Sequence, residues 1–241
     1  MIREKESLFI REVLIDWNDI ESDSYLRSIE ALKDRGRIVF ESPVTFFAGE
    51  NGSGKSTLLE AIAIAYGLNP EGGNRNYAFH TYDSCSDLHE HMTLVKNGSL
   101  PRSSYFLRAE TFYNVATMEM EYAEDRSLRL HDRSHGESFL RLIKNRFRGD
   151  GLYILDEPEA ALSAQNQLTL LLCMEECVKA GSQFIIATHS PIIMAYPDAQ
   201  ILDLDDHLQT IAYEDTDAFR IYRLFISDRK RMLKRLFDEK E

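Results

Sequence analysis

Gly49-Glu50-Asn51-Gly52-Ser53-Gly54-Lys55-Ser56-Thr57 brings glycines, a lysine and hydroxyl side chains together at spacings that suit a polyphosphate. Residues 43–48 before it form an apolar, extended run, and Leu58-Leu59-Glu60-Ala61-Ile62-Ala63 after it reads as a helix. Glycines let the backbone wrap so that successive N–H groups point at phosphate oxygens, and the helix N-terminus adds positive potential. Asn51, Gly52, Ser53, Gly54, Lys55, Ser56 and Thr57 are the expected phosphate-binding residues. Lys55 is expected to reach the β- and γ-phosphates, and Ser56 to offer its hydroxyl oxygen to Mg²⁺. These residues predict a bound nucleoside triphosphate.

A second set carries complementary chemistry. Leu152-Tyr153-Ile154-Leu155-Asp156-Glu157-Pro158 is an apolar strand ending in two carboxylates, and the ends of parallel strands point into the ligand crevice. Asp156 is expected to hold the metal, and Glu157 to accept a hydrogen bond from an attacking water and align it with the γ-phosphate. Ala187-Thr188-His189-Ser190-Pro191 follows the next strand, which predicts that His189 donates to the γ-phosphate. Ser134-His135-Gly136-Glu137-Ser138 precedes a helix. Ser134 and the N–H groups around Gly136 form either an anion site or a simple capping box with Glu137.

The elements that position these residues follow from periodicity. Strands are expected over residues 8–17, 37–40, 44–48, 105–108, 152–155 and 183–187. Helices are expected over residues 55–66, ending at Gly67, and around 111–122, 137–147 and 164–179, with a short one after Pro191. Residues 25–32 read as a short helix or an irregular segment. Residues 69–104 are polar and weakly periodic, which suggests a small inserted subdomain, and two amphipathic helices form a tail over residues 215–241. Strands alternating with helices predict a largely parallel sheet.

The bulk properties narrow the classes. A chain of 241 residues with 44% hydrophobic and 28% charged residues fits one large α/β domain. Its apolar runs are too short to span a membrane and its N-terminus is charged, which predicts a cytoplasmic protein without membrane insertion. A net charge of −12 disfavours non-specific nucleic-acid binding over the whole surface. Two basic clusters, Arg141/Lys144/Arg146/Arg148 and Arg229/Lys230/Arg231/Lys234/Arg235, leave DNA open as a partner. The cysteines at 85, 173 and 177 form no disulfide framework, and Cys85 with His80, His89 and His91 matches no strong zinc pattern.

Taken in order, these motifs resemble the ATP-binding-cassette ATPase family. Asp156-Glu157 looks like its Walker B motif, residues 159–163 like its D-loop, His189 like its switch histidine and residues 134–138 like its signature motif. The soluble branch with DNA-repair and chromosome-maintenance ATPases is nearer than the transporters. Nearer still is a group of small bacterial predicted ATPases, on Leu107-Arg108-Ala109-Glu110, residues 134–139 and residues 183–191. The resemblance implies an α/β P-loop NTPase fold of ABC-ATPase type in a single domain over 1–241, with a mainly parallel sheet, flanking helices and an antiparallel N-terminal β portion. It implies ATP and Mg²⁺ as ligands. It also implies a homodimer in which Ser134 and Gly136 of one subunit complete the site at Lys55 of the other. Glu110 stands where the family has a metal-contacting glutamine. The activity implied is ATP hydrolysis that drives a protein partner, in DNA maintenance or phage defence. A slow nucleotide-gated switch and a transporter subunit are the alternatives.

Overall fold

Val44–Ala48 (β3) is buried at every position, the pattern of a parallel strand covered on both faces. The computed structural model describes residues 7–33, 35–70, 72–73, 86–108 and 142–238. β3 belongs to a sheet with Ser103–Arg108 (β5), Gly151–Asp156 (β6), Gln183–Ala187 (β7), Gln200–Asp203 (β8) and Gln209–Thr210 (β9), in the order β5-β6-β7-β3-β8-β9. Every neighbouring pair is parallel except β8–β9. A second sheet is antiparallel, with Ile10–Ile15 (β1) between Arg37–Val39 (β2) and Met92–Lys96 (β4). The fold is thus α/β, with a mainly parallel sheet and an antiparallel N-terminal portion, as the motif order implied.

Strand alternation divides the core into two layers. Phe47, Leu152, Ile154, Ile185 and Ala187 face one side of the central sheet, where they meet Lys55–Tyr66 (α1) and the antiparallel sheet. Val44, Phe46, Tyr153, Leu155, Phe184 and Ile186 face the other, against Ala164–Lys179 (α2) and helical residues 142–146. That layer holds a stack of Phe147, Tyr153 and Phe184, with ring centroids 4.3 Å apart for the first two and 5.0 Å for the last two. Cys177 of α2 lies in this layer too, where burial pushes its thiol pKa up to about 11; it is a small core residue, unreactive at neutral pH.

Two glutamine side chains join the sheets. The Gln183 amide accepts from Ile10 N (3.0 Å) and donates to Ile10 O (2.9 Å), fully buried. Gln200 donates to Val39 O (3.1 Å) and accepts from Glu41 N (2.9 Å). Each amide imitates a strand neighbour, so the backbone groups of β1 and β2 that meet the central sheet are satisfied.

Some boundaries differ from the expectations. The first strand covers Ile10–Ile15 rather than 8–17, because the chain turns after Ile15 and the Trp17 indole donates to Arg35 O at 2.9 Å. Residues 25–28 form a 3₁₀ turn capped by Ser24, held by the Arg27 guanidinium, which donates to Trp17 O and Ile20 O at 2.7 Å. Within the stretch read as an insertion, β4 pairs with β1 as a full member of the antiparallel sheet. After β7 come Pro191–Met194 (α3), then Asp217–Ser227 (α4) and Arg229–Asp238 (α5). Neither α4 nor α5 buries a residue, and Ile221, Leu224, Ile226, Leu236 and Phe237 are exposed. Among the described residues no helix is long and apolar enough to cross a membrane.

Candidate functional site

The glycine loop leaves the C-terminal end of β3 and enters α1 at Gly54, which has φ 98° and no side chain to cap the helix. The first-turn N–H groups of α1 are left for an anion. Gly52 has φ 84° with open space where a Cβ would lie, so backbone conformation alone selects glycine there. At Gly54 a Cβ would come within 2.5 Å of Ile29 Cγ2, so this glycine also admits the 16–35 loop close to the backbone. Tyr25 and Ile29 of that loop form one wall of a cleft of about 270 Å³. Asn51, Gly52, Gly54, Lys55, Ser56, Thr57 and Glu157 line the rest of it.

Lys55 is buried, and its ammonium donates to Gly49 O at 2.8 Å and Glu50 O at 2.6 Å. Burial lowers its pKa, and the negative fields of Asp205, Glu157, Asp156 and Glu159 oppose that shift. The mouth of the loop is held by Asp205, which accepts from Glu50 N at 2.6 Å. Nearby Asp203 has its pKa raised, chiefly by burial and further by Asp205, Asp217 and Asp206. Folding therefore favours its protonated form, and stability falls as pH rises from 3.8 through the raised value. Asp203→Asn keeps an acceptor for Asp205 N and removes the charge. It is expected to gain a few tenths of a kcal/mol at pH 7, after solvent screening. Thermal melts should show that gain shrinking to nothing below the ordinary carboxylate pKa.

Beside the cleft, Ser56 Oγ donates to Asp156 Oδ1 at 3.0 Å. Arg108, the last residue of β5, places Nε 3.6 Å from Asp156 Oδ2 and pairs with Glu60 of α1 at 2.5 Å. The hydroxyl and carboxylate are hard oxygen donors converging on one point. That suits Mg²⁺, which is bound by one or two protein oxygens together with phosphate and water.

Glu157 has φ 47° and ψ 51°, a left-handed conformation for a non-glycine residue that also precedes Pro158. Such a geometry costs on the order of 1–3 kcal/mol and collects at functional sites. Its N–H donates to Ala187 O at 2.9 Å, tying the end of β6 to the end of β7. The carboxylate then lies 3.8 Å from His189 Nε2.

The structure thus gathers Asn51, Gly52, Ser53, Gly54, Lys55, Ser56, Thr57, Asp156, Glu157 and His189 around the C-terminal ends of β3, β6 and β7. Glu110, Ser134 and Gly136 lie outside the described residues, as do Cys85 and His80. Sequence reasoning missed Glu60, Arg108 and Asp205 and gave Glu159 no role of its own. Glu159 accepts from Thr188 Oγ1 at 2.7 Å and from His189 N at 2.5 Å. Arg108 was detectable as a charge ending an apolar strand, and Asp205 as part of the acidic run closing β8; neither carries a spacing that names its partner.

Residues 138–195 match a family described as "AAA domain, putative AbiEii toxin, Type IV TA system". No curated protein matches the chain. Among solved structures it is similar to an SMC head domain from Thermotoga maritima (18% identity, 81% of this chain and 94% of that one, TM-score 0.46). It is also similar to a "Putative ABC transporter (ATP-binding protein)" from Pyrococcus furiosus (16% identity, 82% and 100% covered, TM-score 0.42). Residues 24–147, just over half of the 241, match the family described as "AAA domain". On that match the chain belongs to the AAA domain family.

Proposed function

We propose that this protein hydrolyses ATP with Mg²⁺ and uses the cycle to change its association with a second copy of itself and a protein partner. The observation that carries the reading is the 3.0 Å contact between Ser56 and Asp156 beside the buried Lys55. In and beside one cleft stand a cation and loop N–H groups for phosphates, two oxygens for a metal and a carboxylate facing a histidine. Tyr25, 55% exposed above the glycine loop, supplies an aromatic face for the base.

Ser56 and Asp156 would hold the metal. When bound, magnesium neutralises charge on the β- and γ-phosphate oxygens. Lys55 exchanges its loop carbonyls for phosphate oxygens, and the loop N–H groups fix the phosphate chain. Glu157 accepts a proton-bearing hydrogen bond from water and directs it at the γ-phosphorus. His189 donates to a γ-phosphate oxygen, holding the phosphoryl group in line with the water while the leaving oxygen of the β-phosphate takes up the charge of the broken bond.

Ser134 and Gly136, by their motif order, complete the site from a second subunit, and Glu110 approaches the metal or its water. The exposed apolar side chains of α4 and α5 give a partner protein a surface, and five cations on α5 leave a local DNA contact open on an acidic chain. The toxin–antitoxin description of the second family supports a defence setting. A direct test is phosphate release from ATP by the purified protein. Turnover should need Mg²⁺ and stop with EDTA; phosphate release unaffected by EDTA would sink the metal assignment, and none under any condition would sink the enzyme.

A further inference from the structure

Among the described residues His189 Nε2 is buried without a hydrogen-bond partner, although its ring faces Glu157 at 3.8 Å. With no hydrogen bond at Nε2 among the described residues, the place from which the imidazole reaches the cleft is fixed by the backbone that carries it. One side chain grips that backbone. Both oxygens of Glu159 are engaged, Oε1 by the His189 N–H at 2.5 Å and Oε2 by the Thr188 hydroxyl at 2.7 Å.

We infer that Glu159 is a positioning residue that fixes His189 for its contact with the γ-phosphate; the inference rests on the reading of this site as one that hydrolyses ATP. The surroundings of the pair favour this role. Thr188 is fully buried, and its hydroxyl also accepts from Ser190 N at 3.0 Å. Ser190 in turn donates to Gln167 Oε1 of α2 and accepts from Ile192 N and Ile193 N at the start of α3. The loop is thus pinned on the α2 side by Gln167 and on the β6 side by Glu159. Glu159 reaches it because the left-handed Glu157 and Pro158 turn the chain sharply after β6. Glu157 and Glu159 then address one histidine in two ways, the first at its ring and the second at its backbone.

Only a carboxylate accepts from both donors. A glutamine can still accept from His189 N and donate to the Thr188 hydroxyl oxygen, so Glu159→Gln keeps the volume and both contacts but reverses the Thr188 bond and removes the charge from both. The bonds are charge-assisted and stronger than neutral ones. A residue that took the water's proton itself would need its oxygens turned to the cleft, whereas these are turned to the loop.

The test compares His189→Ala, Glu159→Ala, Glu159→Gln and the His189→Ala/Glu159→Ala double variant in steady-state ATP hydrolysis. Glu159→Ala should lower kcat by about 10-fold with KM little changed, the signature of a lost transition-state interaction. The double variant should be no slower than His189→Ala alone, because residues that act through each other are not additive. Losses that multiply, or a wild-type kcat in Glu159→Ala, would overturn the inference. A second readout needs no turnover. In protein labelled with ¹⁵N-histidine, seven signals are expected, and the one missing in His189→Ala identifies the His189 amide. Its proton should lie downfield in the wild type and move upfield in Glu159→Gln; an unmoved signal would overturn the inference even in a sample without hydrolysis. Absence of hydrolysis in the wild type would remove the ATPase reading alone, leaving the amide signal to decide whether Glu159 holds His189.

Discussion

Glu157→Gln should lower kcat for ATP hydrolysis by on the order of 10²–10⁴-fold, the range for loss of a positioned general base, while nucleotide affinity changes little. The amide keeps the size and length of the carboxylate, and its backbone N–H still donates to Ala187 O, so the turn after β6 survives. What is lost is an acceptor able to take a water proton. The affinity is retained because the groups facing the phosphates, Lys55 and the loop around Gly52 and Gly54, are untouched. Lys55→Ala should do the reverse. Removing a charge-assisted donor of about 1.5–3 kcal/mol weakens nucleotide binding by about 10–100-fold before any chemistry begins. Titration of a fluorescent ATP analogue alongside phosphate release separates the two. Equal hydrolysis by wild type and Glu157→Gln would show that another group orients the water.

The second large effect is on stability. Gln183→Leu leaves the Ile10 N–H and C=O buried without partners, where the wild-type amide satisfies both. Each unsatisfied group costs about 1–3 kcal/mol, so urea unfolding should show a loss of about 2–5 kcal/mol. That is a large share of the 5–15 kcal/mol available to an ordinary domain. The midpoint should move to lower urea with the slope unchanged, because the surface exposed on unfolding is the same. Gln183→Glu should not rescue it, since a carboxylate accepts from Ile10 N but cannot donate to Ile10 O and adds a buried charge. A loss below about 0.5 kcal/mol, the range of surface substitutions, would mean that water replaces the amide and that the sheets are not held together there.

How much could be read from residue types follows from the range of the interactions. β3 and α1 begin and end where the pattern places them, because a fully apolar run, a glycine loop and Gly67 with φ 92° are local signals. The end of β6 at Asp156 is equally local. β4 and β8 escaped because each is short and mixes polar with apolar residues, and their strand character comes from pairing with β1 and β3. The site divides in the same way. Lys55, Ser56, Asp156, Glu157 and His189 lie in motifs whose spacing encodes their chemistry. Arg108 meets Glu60 across 48 positions of sequence, and Asp205 meets Glu50 across 155. Nothing within a local window records such partners. Glu159 was visible as part of a motif, but its grip on Thr188 and His189 appears only once β6 and β7 lie side by side. Gln183 read as an ordinary polar start to a strand, and its role emerges from a sheet 173 positions away.

In the proposed cycle, ATP held between Lys55, Asp156 and Glu157 brings two copies of the chain together and hydrolysis releases them. The most direct measurement is sedimentation of Glu157→Gln with Mg²⁺-ATP, with Mg²⁺-ADP and without nucleotide. A dimer is expected with Mg²⁺-ATP alone and monomers in the other two samples. Monomers in all three, or a dimer indifferent to nucleotide, would contradict it.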